Sequence, residues 1–178
     1  MTLHTAMYFS PIGGLVLAEK DGALFGVWME EQKYFPCFLG ELIQPSDTAV
    51  LRQTKDWLDR YFRGERPTPG ELPLAPEGSE FRRTVWRLLC EIPYGQTTTY
   101  GAIARTVAAC RSGAMSAQAV GDAVAHNPIA IVIPCHRVIG ADGRLTGYAG
   151  GLEKKVTLLA LEGIDVKALR AATCGKSV

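Results

Sequence analysis

Three runs rich in apolar residues open the chain: "TAMYFS", "GLVLAEK" and "ALFGVWME". Short apolar runs of this kind predict β-strands, and Asp21-Gly22 between the second and third is a hairpin-turn signal. From Ser46 the pattern becomes helical. In "SDTAVLRQTKDWLDRYFRGE", Val50, Leu51, Trp57, Leu58, Tyr61 and Phe62 fall on one helical stripe, with Ser46 or Asp47 as the N-cap. The next stretch, "RPTPGELPLAPEGSE" (66–80), is rich in Pro and Gly and has no period, so it is expected to link two domains.

The second half is patterned for helices. Ser79 is placed to cap "EFRRTVWRLLCEIPYG", with Phe81, Val85, Leu88, Leu89 and Ile92 facing inward and Pro93-Tyr94-Gly95 ending it. "TTTYGAIARTVAAC" starts a second helix on threonines, and Ser116 caps a third, "AQAVGDAVAHN". Two short helices across a glycine-containing turn make a helix-turn-helix. Its second helix is built from Ala117, Ala119, Gly121, Ala123 and Ala125. Small residues there suit either close helix packing or close approach to a nucleic-acid groove. Asn127-Pro128 breaks that helix, and "IAIVIP" is expected to run as a short buried strand into Cys135. A glycine-rich loop, "GADGRLTGYAGG", leads to an amphipathic helix, "LEKKVTLLALEGI", ending at Gly163. The expected organisation is an α+β domain over 1–65, a linker over 66–80 and a mostly helical domain over 81–178.

Composition narrows the class. The chain has 178 residues, 47% of them apolar, enough for a real core. No apolar stretch approaches a membrane span and no signal peptide is visible, so a cytoplasmic location with no membrane partner is expected. The five cysteines (37, 90, 110, 135 and 174) are widely spaced and odd in number, which suits free thiols in a reducing compartment. No C-x-x-C occurs and the three histidines form no zinc spacing with them, so no metal is expected. Charge is uneven: residues 1–79 carry 7 basic and 11 acidic side chains, residues 80–178 carry 12 and 7. A polyanion-binding surface would therefore lie in the second half.

Cys135 differs from the other cysteines in its setting. Pro134 stiffens the chain before it, and His136 and Arg137 follow. A thiol ionises near pH 8.5 and needs a base or positive surroundings to react at neutral pH. Neighbours on an extended chain point to opposite faces, so His136 would act through a water or a local turn. Glu162, near the end of the last helix, is a candidate to orient the imidazole.

The motif "PCHRVIG", with Asn127-Pro128 upstream and "GYAGGLEKK…LEG" downstream, resembles the O6-alkylguanine-DNA alkyltransferases. "FRRTVWRLLCEIPYGQTTTYGAIA" resembles the start of that family's C-terminal domain, and the match runs from Phe81 to Gly163. The resemblance implies a ribonuclease-H-like N-terminal sheet with a helix, and a winged-helix-like C-terminal domain bearing the helix-turn-helix. It implies a monomer without cofactor that acts once on duplex DNA, moving an alkyl group from O6-alkylguanine, with O4-alkylthymine a further candidate, onto Cys135. In that scheme His136 deprotonates the thiol through a water, Glu162 holds the imidazole, and Asn127 stabilises the turn. Tyr100 assists the departing base. Tyr148, Gly147, Ala149, Gly150, Gly151, Val138 and Lys155 surround the substrate. Ser116, Ala117, Gln118, Ala119, Gly121, Arg137 and Arg111 meet DNA, whose damaged base must leave the stack to be reached. One departure stands out. Gln118 occupies the place of the family's usual arginine, and glutamine lacks the guanidinium's charge and stacking plane. The zinc ligands of some relatives are absent as well. The alternative reading is a protein of the same fold that senses the lesion without transferring the group. The cysteine, replaced in relatives of that kind, is present here.

Overall fold

The computed structural model describes residues 3–36, 43–111 and 113–169. The side chain of Arg111, together with Cys37 and Cys174, lies outside the described residues. Two compact units form: residues 1–77 with 128–133, and residues 78–127 with 134–178.

The first unit is a mixed sheet under one helix. Strands β1 (Leu3–Ser10), β2 (Gly13–Lys20) and β3 (Ala23–Met29) form an antiparallel meander, and β4 (Ile43–Pro45) adds parallel to β1, giving the order β3-β2-β1-β4. Asp21 and Gly22 have φ of 52° and 80°, the double left-handed conformation that a two-residue hairpin turn requires. A bulge between Ala18 and Glu19 puts Phe25 on the same face as Trp28, with ring centroids 5.9 Å apart. The Trp28 ring lies across Gly26, where any Cβ would come within 1.8 Å of it, so this strand position accepts only glycine.

Helix α1 (Ala49–Phe62) buries Leu51, Thr54, Trp57, Leu58 and Tyr61. Its cap is Thr48, whose hydroxyl accepts from the Leu51 amide at 3.3 Å, rather than Ser46 or Asp47. The hydrophobic stripe fixed the helix; the cap depended on which of three adjacent competent residues stood three positions before a helical amide. The stretch 66–80 is ordered along part of its length: Leu24 donates to the Pro73 carbonyl at 2.7 Å and accepts from Ala75 at 2.9 Å. These bonds cover the outer edge of β3.

The expected strand over "IAIVIP" is a correction. Only Ile129 makes a bridge, parallel to Val27, and the chain then turns at Ile131 with φ 71°, where the Val132 amide donates to the Ala130 carbonyl at 2.9 Å. A left-handed β-branched residue costs on the order of 1–3 kcal/mol. Ile131 is nevertheless fully buried, so packing overrides the local preference.

The second unit is helical. Helix α2 (Glu80–Cys90) starts at the Ser79 cap as expected and buries Val85, Trp86 and Leu89. Trp86 was absent from the inward stripe read from sequence; its indole is 2% exposed and donates to the Ala123 carbonyl at 2.8 Å. Helices α3 (Tyr100–Arg111) and α4 (Ala117–Ala125), capped by Thr99 and Ser116, make the helix-turn-helix. Two-residue strands β5 (Thr98–Thr99) and β6 (Val138–Ile139) pair in parallel, and α5 (Leu152–Leu161) closes the unit. No helix among the described residues is long and apolar enough to cross a membrane.

Candidate active site

Three elements of the second unit carry the site, and the β5–β6 pair brings them together. Thr98 pairs with Val138, which sets the residues just after Cys135 beside the start of α3, where Tyr100 stands. Cys135, His136 and Arg137 form a single 3-10 turn closed by the Val138 amide on the Cys135 carbonyl. The chain here is a turn and not extended. His136 Nε2 lies 2.6 Å from Glu162 Oε1.

Cys135 is 5% exposed. Burial pushes its thiol up, and hydrogen-bonding groups of Asn127 and Tyr148 together with the Lys155 charge work against that. Cys90 lacks such support: burial and Glu91 push it up to about 11, against a weaker pull from Arg137, so it stays protonated. The two cysteines are both shielded, but only one is surrounded by groups that favour a thiolate.

The carboxylate of Glu162 is buried with its partners. Burial alone would raise its pKa, but the His136 hydrogen bond and the Arg137 guanidinium outweigh it and hold the group down to about 2. Burial pushes the His136 imidazole below its ordinary value, Glu162 opposes this, and the charges of Arg137 and Lys155 add to it. Lys155 is fully buried and depressed to about 8 by burial. Its ammonium donates to the Val138 carbonyl at 2.6 Å and the Thr146 carbonyl at 3.2 Å, tying the strand after Cys135 to the glycine-rich loop. Tyr100 accepts from the Thr146 hydroxyl at 3.0 Å, and burial raises its pKa. At Gly95, φ is 75° and a Cβ would approach the Glu162 carbonyl to 3.0 Å, so glycine lets the loop after α2 close on the end of α5.

The other expected residues fall on two surfaces. Tyr148, Ala149 and Gly150 are half-buried around the loop, with Gly147 and Gly151 exposed, and the Gly151 amide donates to the Tyr148 carbonyl at 2.9 Å. On α4, Ser116, Ala117 and Gln118 are exposed, Ala119 and Gly121 are half-buried, and Gly121 faces the Tyr100 ring. Ala123 lies inward beneath Trp86, so the small-residue row serves helix packing on one side and an open face on the other. Arg137 departs from expectation. It is 5% exposed, and it donates to Glu162 and the Ile92 carbonyl rather than standing on an open surface. Among the described residues, no group of three or more His, Cys, Asp or Glu could hold a metal ion.

Comparison with known proteins agrees over nearly the whole chain. Residues 80–164 match the family model described as "6-O-methylguanine DNA methyltransferase, DNA binding domain", and residues 3–76 match its ribonuclease-like domain. The chain belongs to this family. A methylated-DNA–protein-cysteine methyltransferase of Mycolicibacterium paratuberculosis is 52% identical over 86% of this chain and 88% of its own length. One from Methanosarcina acetivorans is 42% identical, over 90% and 99%. Among solved structures, Mycobacterium tuberculosis OGT in complex with DNA superposes with a TM-score of 0.79 at 43% identity, covering 90% of this chain and 93% of that one. Membership gives both units their family fold: the ribonuclease-like sheet-and-helix unit and the helical DNA-binding-domain unit.

Sequence reasoning gave Thr146, Ile92 and Gly95 no part in the site. All three contribute main-chain groups to it, which no side-chain pattern reports; the glycine after Pro93-Tyr94 was the one available signal.

Proposed function

We propose that the protein repairs alkylated DNA by direct reversal, taking the alkyl group of O6-alkylguanine in duplex DNA onto Cys135, once per molecule. The observation that carries this is the buried Cys135 thiol ringed by Asn127, Tyr148 and Lys155, with a His136–Glu162 pair beside it, in a chain of this family. The thiol proton passes to His136 through a water. The thiolate attacks the alkyl carbon in line, the S–C bond forms, and the C–O6 bond breaks with its electron pair left on the guanine. The guanine is then reprotonated, assisted by Tyr100, and leaves as the unmodified base. A thioether has no easy leaving group, so the cysteine is consumed.

The reaction requires the base out of the stack, since O6 inside a duplex is beyond the reach of a buried thiol. The exposed face of α4, with Ala117 and Gln118, is the surface for a close groove approach. The second unit carries DNA binding and alkyl acceptance in this reading. Arg111, outside the described side chains, remains a candidate contact.

The test is intact mass spectrometry after mixing the protein with duplex DNA carrying one O6-methylguanine. Unmodified duplex and a Cys135→Ala variant serve as controls. A stoichiometric gain of one CH2 on Cys135, seen only with the lesion, is expected. Lesion-selective binding with no mass change would identify a sensor instead.

A further inference from the structure

We propose that Arg137 is a positioning residue of the transfer reaction: its guanidinium fixes the Glu162 carboxylate against His136 and ties both to the loop after α2. The inference rests on the functional reading above and extends it to a residue that the family resemblance placed among the DNA contacts.

The geometry is that of a fork. Arg137 Nε donates to Glu162 Oε2 at 2.9 Å and its Nη2 to Oε1 at 3.1 Å, while Nη1 donates to the Ile92 carbonyl at 2.6 Å. The guanidinium carbon lies 5.7 Å from the centroid of the Tyr94 ring, and the Tyr94 hydroxyl donates to the Leu161 carbonyl at 3.1 Å. The Gly95 amide donates to Glu162 Oε2 at 3.0 Å. Three separate pieces of chain therefore meet at one side chain: the nucleophile's own turn, residues 92–95, and the end of α5. A planar fork with donors on two edges is needed for this, and lysine has none.

The consequence for the chemistry is a fixed proton direction. Glu162 Oε1 accepts from both Arg137 Nη2 and His136 Nε2, so Nε2 carries the ring proton. In the neutral imidazole Nδ1 is then the accepting nitrogen, the one that takes the proton of the Cys135 thiol. With Arg137 beside it Glu162 stays a carboxylate and does not compete for that proton. The charged groups that act on Glu162 are His136 and Arg137 from the turn. Lys155 from α5 acts on His136 and Cys135, Tyr94 from the loop after α2 packs on the guanidinium, and Arg137 also acts on Cys90.

The experiment compares wild type, Arg137→Lys and Arg137→Gln. Single-turnover transfer from an O6-methylguanine duplex is followed across pH, and the salt dependence of binding to the same duplex is measured in a Cys135→Ala background. Transfer is expected to slow about tenfold or more in Arg137→Lys and further in Arg137→Gln. In Arg137→Gln the acid limb of the pH–rate profile moves to higher pH, because Glu162 loses the cation that keeps it ionised. The salt slope stays that of the parent. Wild-type rates and an unmoved acid limb would overturn the proposal. So would a salt slope lowered by about one with full rate at saturating DNA, which is the signature of a lost phosphate contact. If wild type itself transfers nothing, the functional reading fails and not the role of Arg137. Nitrogen NMR of the unaltered protein tests that role without any variant. It should show His136 protonated on Nε2 and an Arg137 Nε–H signal unmoved by unmodified duplex; an Nδ1-protonated ring or a DNA-induced shift would overturn it.

Discussion

Both units bury polar side chains, but they use them over very different distances. In the sheet unit, Glu19 accepts from the amide of Gly22, Gln32 from the amide of Met29, and Thr54 donates to the carbonyl of Val50. Each of these bonds serves a turn or helix within four residues of its own position. In the helical unit, His136 and Glu162 are 26 residues apart, Arg137 and Ile92 45, and Gly95 and Glu162 67. Local polar burial finishes secondary structure. Long-range ionic burial assembles something else, since replacing a buried ion pair by apolar residues often leaves stability unchanged or improved. A fold has no need of Arg137, Glu162, His136 and Lys155 together in its interior; the transfer proposed at Cys135 gives them a use.

The sharpest way to break that contrast is Glu162→Gln. It removes the charge between His136 and Arg137 and turns an amide N–H toward existing donors, leaving the buried guanidinium uncompensated. Stability should fall by about 3–5 kcal/mol, measured by denaturant unfolding, and transfer should be lost. The wild-type protein carries the matching pH signature. Because Glu162 is held down to about 2, its contribution is complete above the ordinary carboxylate range near pH 4.3 and disappears as pH falls toward 2. The variant should lack that acid loss.

The difference between the units also explains what could be read from the chain alone. Hairpin turns, amphipathic stripes and the Ser79 and Ser116 caps depend on neighbours in sequence, and they stand where periodicity and turn chemistry put them. His136 and Glu162 were candidates from their place in the sequence, and the other residues that gather at Cys135 were named through a family resemblance. Local pattern carries no sign of the contact between Glu162 and His136. Arg137 was expected among the DNA contacts; its burial follows from partners 25 and 45 residues away, which no local pattern reports. Ile131 failed for the same reason. A β-branched residue in an apolar run argues for a strand, and only the packed interior reverses it.

Lys155→Met is the next test. The substitution removes a buried ammonium, whose desolvation opposes folding at neutral pH, and also the donor to the Val138 and Thr146 carbonyls. These effects offset, so stability should change by no more than about 1–2 kcal/mol. Transfer should slow about tenfold, because the thiol loses the nearby cation that favours its ionised form. The pH dependence has a definite sign. The folded chain releases this proton near pH 8 and the unfolded chain near 10.4, so Lys155 contributes a rise of stability with pH between those values in the wild type, and the difference between wild type and variant should show that rise.

In the sheet unit the expected effects are smaller. Glu19→Gln keeps an oxygen to accept the Gly22 amide, and thermal unfolding should report a loss under about 1 kcal/mol. Thr54→Val is the smallest and the most informative about the contrast. Thr54 is fully buried on α1, its hydroxyl donating to Val50 at 2.8 Å, a carbonyl already engaged in the helix. Valine fills nearly the same volume, shares the β-branch and leaves no donor stranded, so the change should stay within about 0.5 kcal/mol. A loss as large as that of Glu162→Gln would mean that polar burial is as structural in one unit as in the other, and the ionic cluster at Cys135 would no longer need a chemical reason.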